Sequence, residues 1–427
     1  MNQNEMKVGV VGLGYVGLPL ALRSLEKDFD TIGVDLDKNK IKKIKAGKSP
    51  FLEDFIEERI NLLKKLPVSS DMATIKEVDV IIICVPTPID KSYYPNLKPL
   101  QDAVQSVINN LGQKQLIIVE STINPGVCEE VLEPMFAEKN LVEGKDYFLA
   151  HCPERIDPGN KKWNVSNIPR VVGSMSKKGL QKAQEFYEIL IDGPIKPMKS
   201  IRATEAVKVV ENSFRDVNIA FVNELAQSFD RMGIDVKDVI DGAATKPFAF
   251  MAHYPSRGVG GHCIPVDPYY LIEEAKRKGF DHRFLNAARK INNFMPIYTV
   301  KILQDTLNNI EMPLKNTQVG VLGLSYKANI DDLRESPAFK IIDELKTKGA
   351  QVTTFEPYAK EKSDVASLEE LLEKSEVLIL VTNHKDFLGK EDLFKKFGIK
   401  AIVDGVNCLD DEKIKKLGIE YHGIGRK

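Results

Sequence analysis

The residues best suited to chemistry stand in the run Gly258-Val259-Gly260-Gly261-His262-Cys263-Ile264-Pro265-Val266-Asp267. Three glycines in four positions leave backbone unshielded, so a ligand can approach closely. A thiol follows directly, and a carboxyl stands four residues after the thiol. A cysteine in such a stretch is either a nucleophile or a small packing residue, and the residues alone leave both open. Cys84 and Cys152 lie in or beside apolar runs and read as packing. His262 neighbours Cys263, but adjacent side chains usually point apart, so a role as catalytic base is the lesser reading.

Gly12-Leu13-Gly14-Tyr15-Val16-Gly17 carries a second chemistry. Gly12 permits a tight turn, Gly14 admits a pyrophosphate, and Gly17 lets a helix pack on the preceding strand. The helix N-terminus then faces the phosphates. Asp35 ends the next strand 18 residues after Gly17, where an acid binds ribose hydroxyls and repels a 2′-phosphate. The pattern predicts a dinucleotide site that prefers NAD to NADP. Lys40 is either a surface lysine or a contact to the adenosine side. Thr87 and Thr122 lie just past strand ends, where open α/β sheets bind ligands, and are candidate cofactor contacts. Lys208 and Asn212 stand four apart on a helical pattern, with Arg215 nearly one turn on. They form either a solvated stripe or a cation and an amide that steady a developing oxyanion.

These residues need elements to hold them. Lys7–Val11, Thr31–Val34, Val80–Val85, Leu116–Glu120 and Tyr147–Ala150 read as apolar strands alternating with helices, the pattern of a parallel sheet covered on both faces. From about Arg202 to Gly233, apolar residues such as Val207, Val210, Phe214, Val217, Phe221 and Leu225 recur at spacings of three and four. This predicts one long helix, which is either simply a long core helix or, the preferred reading, a spine between domains that offers a natural dimer surface. After Pro313 the α/β pattern restarts. Gln318–Leu322 echoes Lys7–Val11, Glu376–Val381 echoes Asp79–Val85, and Val403-Asp404-Gly405 reads as the end of a last strand. No second GxGxxG follows Gly323, so this part should bind something other than a dinucleotide. The expected fold is α/β, two Rossmann-like doubly wound domains joined by a long central helix. The expected divisions are 1–200 (dinucleotide), 201–312 (helical, with the cysteine loop) and 313–427. Sixty basic against 61 acidic residues give a net charge of -1, which argues against nucleic acid as a partner. No apolar run approaches a membrane span. Five scattered cysteines argue for a reducing cytoplasm, without disulfides or a structural metal.

The segments GLGYVGLPLA, VPTPID, ESTINPG, PERIDPG, KVVENSFRDVNIAFVNE, GVGGHCIPVDPYYL and GLSYKANIDDLRESPA, in this order, resemble the UDP-glucose/UDP-N-acetylhexosamine 6-dehydrogenase family over nearly the whole chain. The resemblance implies a homodimer formed through the central helix and a C-terminal UDP-sugar domain. It implies a four-electron oxidation of C6 using two NAD, through a thiohemiacetal and a thioester on Cys263. It further implies that Lys208 and Asn212 steady the C6 oxygen and that Asp267 orients water or Lys208. Glu154 and Thr122 would place the hydrolytic water. Arg155, Ile156, Arg215, Gly260, Tyr326 and Lys327 would hold the sugar nucleotide, and Arg334 would reach the cofactor.

Two departures bear on the substrate. Pro158 stands where the glucose branch has a glutamate, and Thr245-Lys246-Pro247-Phe248 replaces a stretch that carries an arginine to the neighbouring site in some members. Both resemble the N-acetylhexosamine branch. The resemblance favours UDP-GlcNAc, with UDP-ManNAc next. The rival readings are a single-step hydroxyacid or 6-phosphogluconate-type dehydrogenase, which needs no cysteine, and a non-catalytic NAD-sensing scaffold.

Overall fold

A computed structural model describes residues 6–51, 53–90, 93–156, 160 and 162–426. The chain divides into two compact units, 1–211 with 269–280, and 212–268 with 281–427. The first is built on strands β1 (Lys7–Val11), β2 (Asp30–Val34), β3 (Val68–Ser69), β4 (Val80–Ile83), β5 (Gln115–Val119), β6 (Tyr147–His151), β7 (Arg170–Ser174) and β8 (Ile195–Pro197). Their order is β3-β2-β1-β4-β5-β6-β7-β8, parallel except where β7 runs against β6. Strand residues alternate between two cores, Val8, Val10, Val80 and Ile82 on one face and Val11, Ile81 and Ile83 on the other. Burial on both faces is why these strands read as unbroken apolar runs. The order reverses at β1, so the ends of β1 and β4 flank the crevice where such sheets bind ligands.

The second unit repeats the plan with β9 (Gln318–Leu322), β10 (Gln351–Phe355), β11 (Val377–Leu380), β12 (Ala401–Asp404) and β13 (Glu420–Gly423), all parallel in the order β10-β9-β11-β12-β13. The echo extends to the backbone: Gly12 and Gly323, each just past the first strand, have φ of 92° and 89°. One core face packs Val319, Val321 and Val377 under Val222, Ala226, Leu303 and Ile341 from the covering helices. Ile201–Met232 is one helix of 32 residues, within a residue of its expected ends, and belongs to both units.

The structure corrects one expectation. The strand ending at Asp404 is not the last, because β13 follows it at the sheet edge. The helix Arg283–Asn309, 27 residues long with Pro296 inside, lies within residues 201–312, which were read as helical without bounds for this helix. β10 and β13, like β3 and β8, are edge strands. One flank needs no apolar cover, so QVTTF and EYHG carry polar residues that dilute the strand signal.

Candidate active site

In the first unit, β1 delivers its chain to the glycine turn. A Cβ at Gly12 would stand 2.5 Å from the Cys84 carbonyl oxygen, and one at Gly17 would stand 1.9 Å from that of Gly12. Both glycines are therefore required by packing. Gly14 differs: nothing lies within 4 Å of its Cβ position, so the backbone is open to a ligand. Tyr15 lies over Phe51, ring centroids 4.1 Å apart, and Val16 precedes the helix Gly17–Glu26. Asp35 accepts the Leu13 N–H at 2.8 Å and the Lys40 ammonium at 2.5 Å on Oδ2, and the Asp37 N–H at 2.8 Å on Oδ1. Lys40 is thus not merely solvated, because it pairs with the acid itself. An open turn at a helix N-terminus, with an acid at the end of β2, fits the pyrophosphate and ribose of NAD. Thr87 is buried and its hydroxyl donates to the Thr122 carbonyl at 2.7 Å, while its own carbonyl accepts from Tyr270. Thr122 is half-buried.

Glu154 follows β6. Burial pushes its carboxyl up to about 7, with the charges of Lys208 and Arg170 working the other way. One of its oxygens accepts the Ile156 N–H. Beneath it lies a group that the sequence reading did not find. Arg170 and Glu120 form a fully buried ion pair at 3.2 Å, and the Tyr187 hydroxyl donates to Glu120 at 2.5 Å. The one available signal was a glutamate closing the apolar run LIIVE. The Arg155 guanidinium is held by Glu211 at 2.5 Å and by the Pro169 carbonyl at 2.9 Å. Pro158 lies outside the described residues.

On the long helix, Lys208 and Asn212 are 8% and 5% exposed, which removes the solvated-stripe reading. Arg215 is exposed. The helix aims Asn212 into its own unit, where Nδ2 donates to Asp267 Oδ2 at 2.5 Å. Asp267 in turn starts the helix Asp267–Arg277, and its N–H donates to the Cys263 carbonyl at 2.8 Å. Thiol and carboxylate are therefore one helical turn apart. Cys263 is exposed, Cys84 and Cys408 are half-buried, and Cys128 and Cys152 are buried. Burial pushes the Cys152 thiol up to about 12 and the Cys84 thiol well up, so both are kept protonated and inert. His262 is half-buried, and burial with the nearby Arg334 charge lowers it below the usual imidazole range.

The glycine run is not open as the sequence suggested. Cβ atoms at Gly260 and Gly261 would meet Tyr326 at 2.7 and 2.8 Å, so the glycines let that ring pack against the loop. Asn223 Oδ1 accepts the Ser256 N–H at 2.9 Å and so ties the loop's start to the long helix. Arg257 is buried and donates to the Tyr326 carbonyl at 2.9 Å, a strut that the sequence reading missed. Lys327 is half-buried. The exposed Arg334 guanidinium is gripped by Asp332 at 2.6 Å, and the Arg334 carbonyl accepts the Gly261 N–H at 3.1 Å. Lys246 is exposed and lies 4.9 Å over the Phe248 ring.

Comparison with known proteins matches the three parts of one family in order. The NAD binding domain of the UDP-glucose/GDP-mannose dehydrogenase family covers residues 6–191, its central domain 202–294 and its UDP binding domain 320–411. The UDP-N-acetyl-D-mannosamine dehydrogenase of Pyrococcus horikoshii is 35% identical over 426 residues, 99% of each chain. The UDP-N-acetyl-D-glucosamine 6-dehydrogenase of Pseudomonas aeruginosa is 36% identical over 355 residues, 83% of each. The solved structure of the Pyrococcus horikoshii UDP-D-ManNAc dehydrogenase superposes with a TM-score of 0.92 at 34% identity, covering 99% of each chain. The chain belongs to the UDP-glucose/GDP-mannose dehydrogenase family, NAD-dependent oxidoreductases of nucleotide sugars.

Proposed function

We propose that this enzyme oxidises the C6 alcohol of a UDP-N-acetylhexosamine to the carboxylate, with Cys263 as covalent nucleophile. The observation that carries this reading is the exposed Cys263 one turn from Asp267, which is itself held by Asn212. The Gly12–Gly17 turn and Asp35 would hold NAD, which would supply the hydride acceptor, two being needed for the full oxidation. In the first stage C6 loses a hydride and its hydroxyl proton and becomes an aldehyde. The Cys263 sulfur adds to that carbon as the C=O π bond breaks and the thiol proton passes to the oxygen, giving a thiohemiacetal. Loss of a second hydride and the hydroxyl proton leaves a thioester. Water then attacks, the C–S bond breaks, and the thiol is restored.

Lys208 and Asn212 stabilise the oxygen on C6 throughout, as buried donors do for a developing oxyanion. One Asn212 N–H is committed to Asp267, which fixes the amide and leaves the other N–H for that oxygen. Asp267 also orients water or Lys208. Glu154, with Thr122, places and deprotonates the hydrolytic water, a task suited to a carboxyl titrating near 7. Arg155, Ile156, Arg215, Gly260, Tyr326 and Lys327 hold the sugar nucleotide. Tyr15, Val16, Asp35, Lys40, Thr87 and Arg334 serve the cofactor. The working divisions remain 1–200 for NAD, 201–312 for the central region and 313–427 for the UDP sugar.

Relatives named for both epimers support the N-acetylhexosamine class. Relatives matched over 98–99% of this chain carry the mannosamine name and one matched over 83% carries the glucosamine name, which supports UDP-ManNAc as a candidate beside the UDP-GlcNAc that the motifs favour. Val210, Phe214 and Phe221 on the long helix are 52%, 50% and 53% exposed, which supports a homodimer through that face. No helix among the described residues is long and apolar enough to cross a membrane, in keeping with a cytoplasmic enzyme. The test is stoichiometry with UDP-ManNAc, UDP-GlcNAc, UDP-GalNAc and UDP-glucose side by side. Two NADH per sugar from one of the first two supports the reading, and one NADH per sugar removes the thioester route.

A further inference from the structure

The segment 326–334 carries Tyr326, Lys327 and Arg334, and its shape is set from behind. Asn329, at its middle, has φ of 61° and donates its N–H to Nδ1 of His384 at 2.9 Å. The Asn329 side-chain oxygen accepts the Tyr358 hydroxyl at 3.1 Å and the Lys385 N–H at 3.0 Å. His384 lies just past β11 and is wholly buried, with Nε2 3.0 Å from Glu356 Oε2. A backbone N–H can only donate, so Nδ1 must accept and the ring proton must sit on Nε2, donated to Glu356. The arrangement selects the neutral imidazole in one tautomer.

Glu356 is buried past the end of β10 and also accepts N–H groups from Leu324 at 2.7 Å, Ser325 at 2.9 Å and Tyr358 at 3.0 Å. Burial opposes its charge, but the His384 bond, the backbone donors and any charge on His384 hold its carboxyl below the usual carboxylate range. The other groups around His384 are the Tyr358 ring stacked 4.9 Å away, Phe387 edge-on at 5.6 Å, and Lys385 and Asp386 on its own segment. Asp386 acts on the Tyr358 hydroxyl. The imidazole is thus bracketed by a fixed anion on one nitrogen and a fixed donor on the other.

We propose that His384 is a positioning residue that holds the segment 326–334 in its substrate-binding shape only while its imidazole is neutral. A second proton on Nδ1 would set two donors face to face at Asn329, and the segment would have to move. The proposal rests on the reading of Tyr326 and Lys327 as sugar-nucleotide contacts. It predicts acid-weakened binding of the UDP sugar without loss of the catalytic groups themselves.

The experiment is calorimetric binding of UDP-ManNAc or UDP-GlcNAc to the full chain without NAD, from pH 8 to pH 5.5. A nucleotide-sugar diphosphate is a diester and does not titrate in this window. Loss of one backbone hydrogen bond predicts a Kd raised about fivefold to tenfold at the acid end. His384→Asn retains an acceptor for the Asn329 N–H but cannot take the proton; with both proteins carrying Glu154→Gln, which removes the other carboxyl that titrates near 7, its Kd should be flat over the same range and near the neutral-pH value of Glu154→Gln alone. His384→Phe keeps the stacking and leaves Glu356 its three backbone donors, so it should fold yet bind weakly at every pH. A flat profile in wild type or in Glu154→Gln alone, an acid-weakened profile once His384→Asn is added to Glu154→Gln, or unchanged binding by folded His384→Phe overturns the proposal alone. Failure of the wild type to bind any UDP sugar at any pH overturns the substrate reading and this proposal with it.

Discussion

Asn212 donates a 2.5 Å hydrogen bond to Asp267, and both residues are almost wholly buried. The bond joins the long helix to the turn that begins at Cys263, and it fixes which way the amide points. Lys208, one turn earlier on the helix, is buried as well. Lys208→Ala should therefore lower kcat by about 100- to 1000-fold, the usual cost of one oxyanion donor, while substrate affinity falls much less. Asn212→Ala should act similarly, and the double variant should be less than additive if both groups hold one oxygen. Kinetics on variants shown to be folded by thermal melting decide this. A Lys208→Ala rate within threefold of wild type returns the lysine to a structural role.

Cys263→Ser should stop turnover while binding of both ligands persists. A serine alkoxide is a poor leaving group, so any acyl species formed should accumulate as an ester on the protein. Intact-protein mass spectrometry after incubation with NAD and the UDP sugar would detect the added uronyl mass. Wild-type NADH production by this variant would sink the covalent route.

Glu154 titrates near 7 because burial outweighs the neighbouring cations. As a base it must be ionised, so kcat should fall as pH drops through about 7, and Glu154→Gln should lose hydrolysis while still giving a single burst of two NADH per site and leaving the thioester on Cys263. Lys208 holds this carboxyl down, so Lys208→Met should move the acid limb to higher pH. The stability linkage has the opposite slope. A carboxyl raised on folding binds more protons in the native state, so its contribution is fully present below the unfolded value and is lost as pH rises through about 7. Melting temperatures of Glu154→Gln and wild type compared at pH 5 and pH 8 would show this. A wild-type disadvantage that does not grow with pH contradicts it.

Asp35 holds both the Leu13 N–H and Lys40, so Asp35→Ala should loosen the glycine turn as well as remove the ribose acceptor. The NAD KM should rise about 10- to 150-fold, the equivalent of one charge-assisted hydrogen bond. The freed Lys40 ammonium then becomes available to a 2′-phosphate, so the ratio of kcat/KM for NADP over NAD should increase. No change in that ratio would mean that Lys40 does not face the ribose.

Phe214→Glu with Phe221→Glu should give a monomer by light scattering, because two charges would replace apolar surface on the exposed face of the long helix. A dimer that survives both changes uses another surface.

Periodicity and apolar runs made the central strands and the long helix legible, because burial on both faces forces unbroken Val and Ile and a helical face forces a spacing of three and four. The glycine turn with Asp35, and the cysteine with Asp267 four residues on, were legible because short-range geometry ties those residues together whatever surrounds them. What sequence could not decide was anything that rests on partners distant along the chain. Lys208 and Asn212 fit a solvated stripe equally well until packing buried them. The glycines at 260 and 261 turned out to make room for Tyr326, and Lys40 turned out to pair with Asp35. Arg170 on Glu120 and His384 on Glu356 are pairs 50 and 28 residues apart. Each looks in isolation like an ordinary polar residue, and only the sheet order, which brings strand ends together regardless of sequence distance, makes them partners.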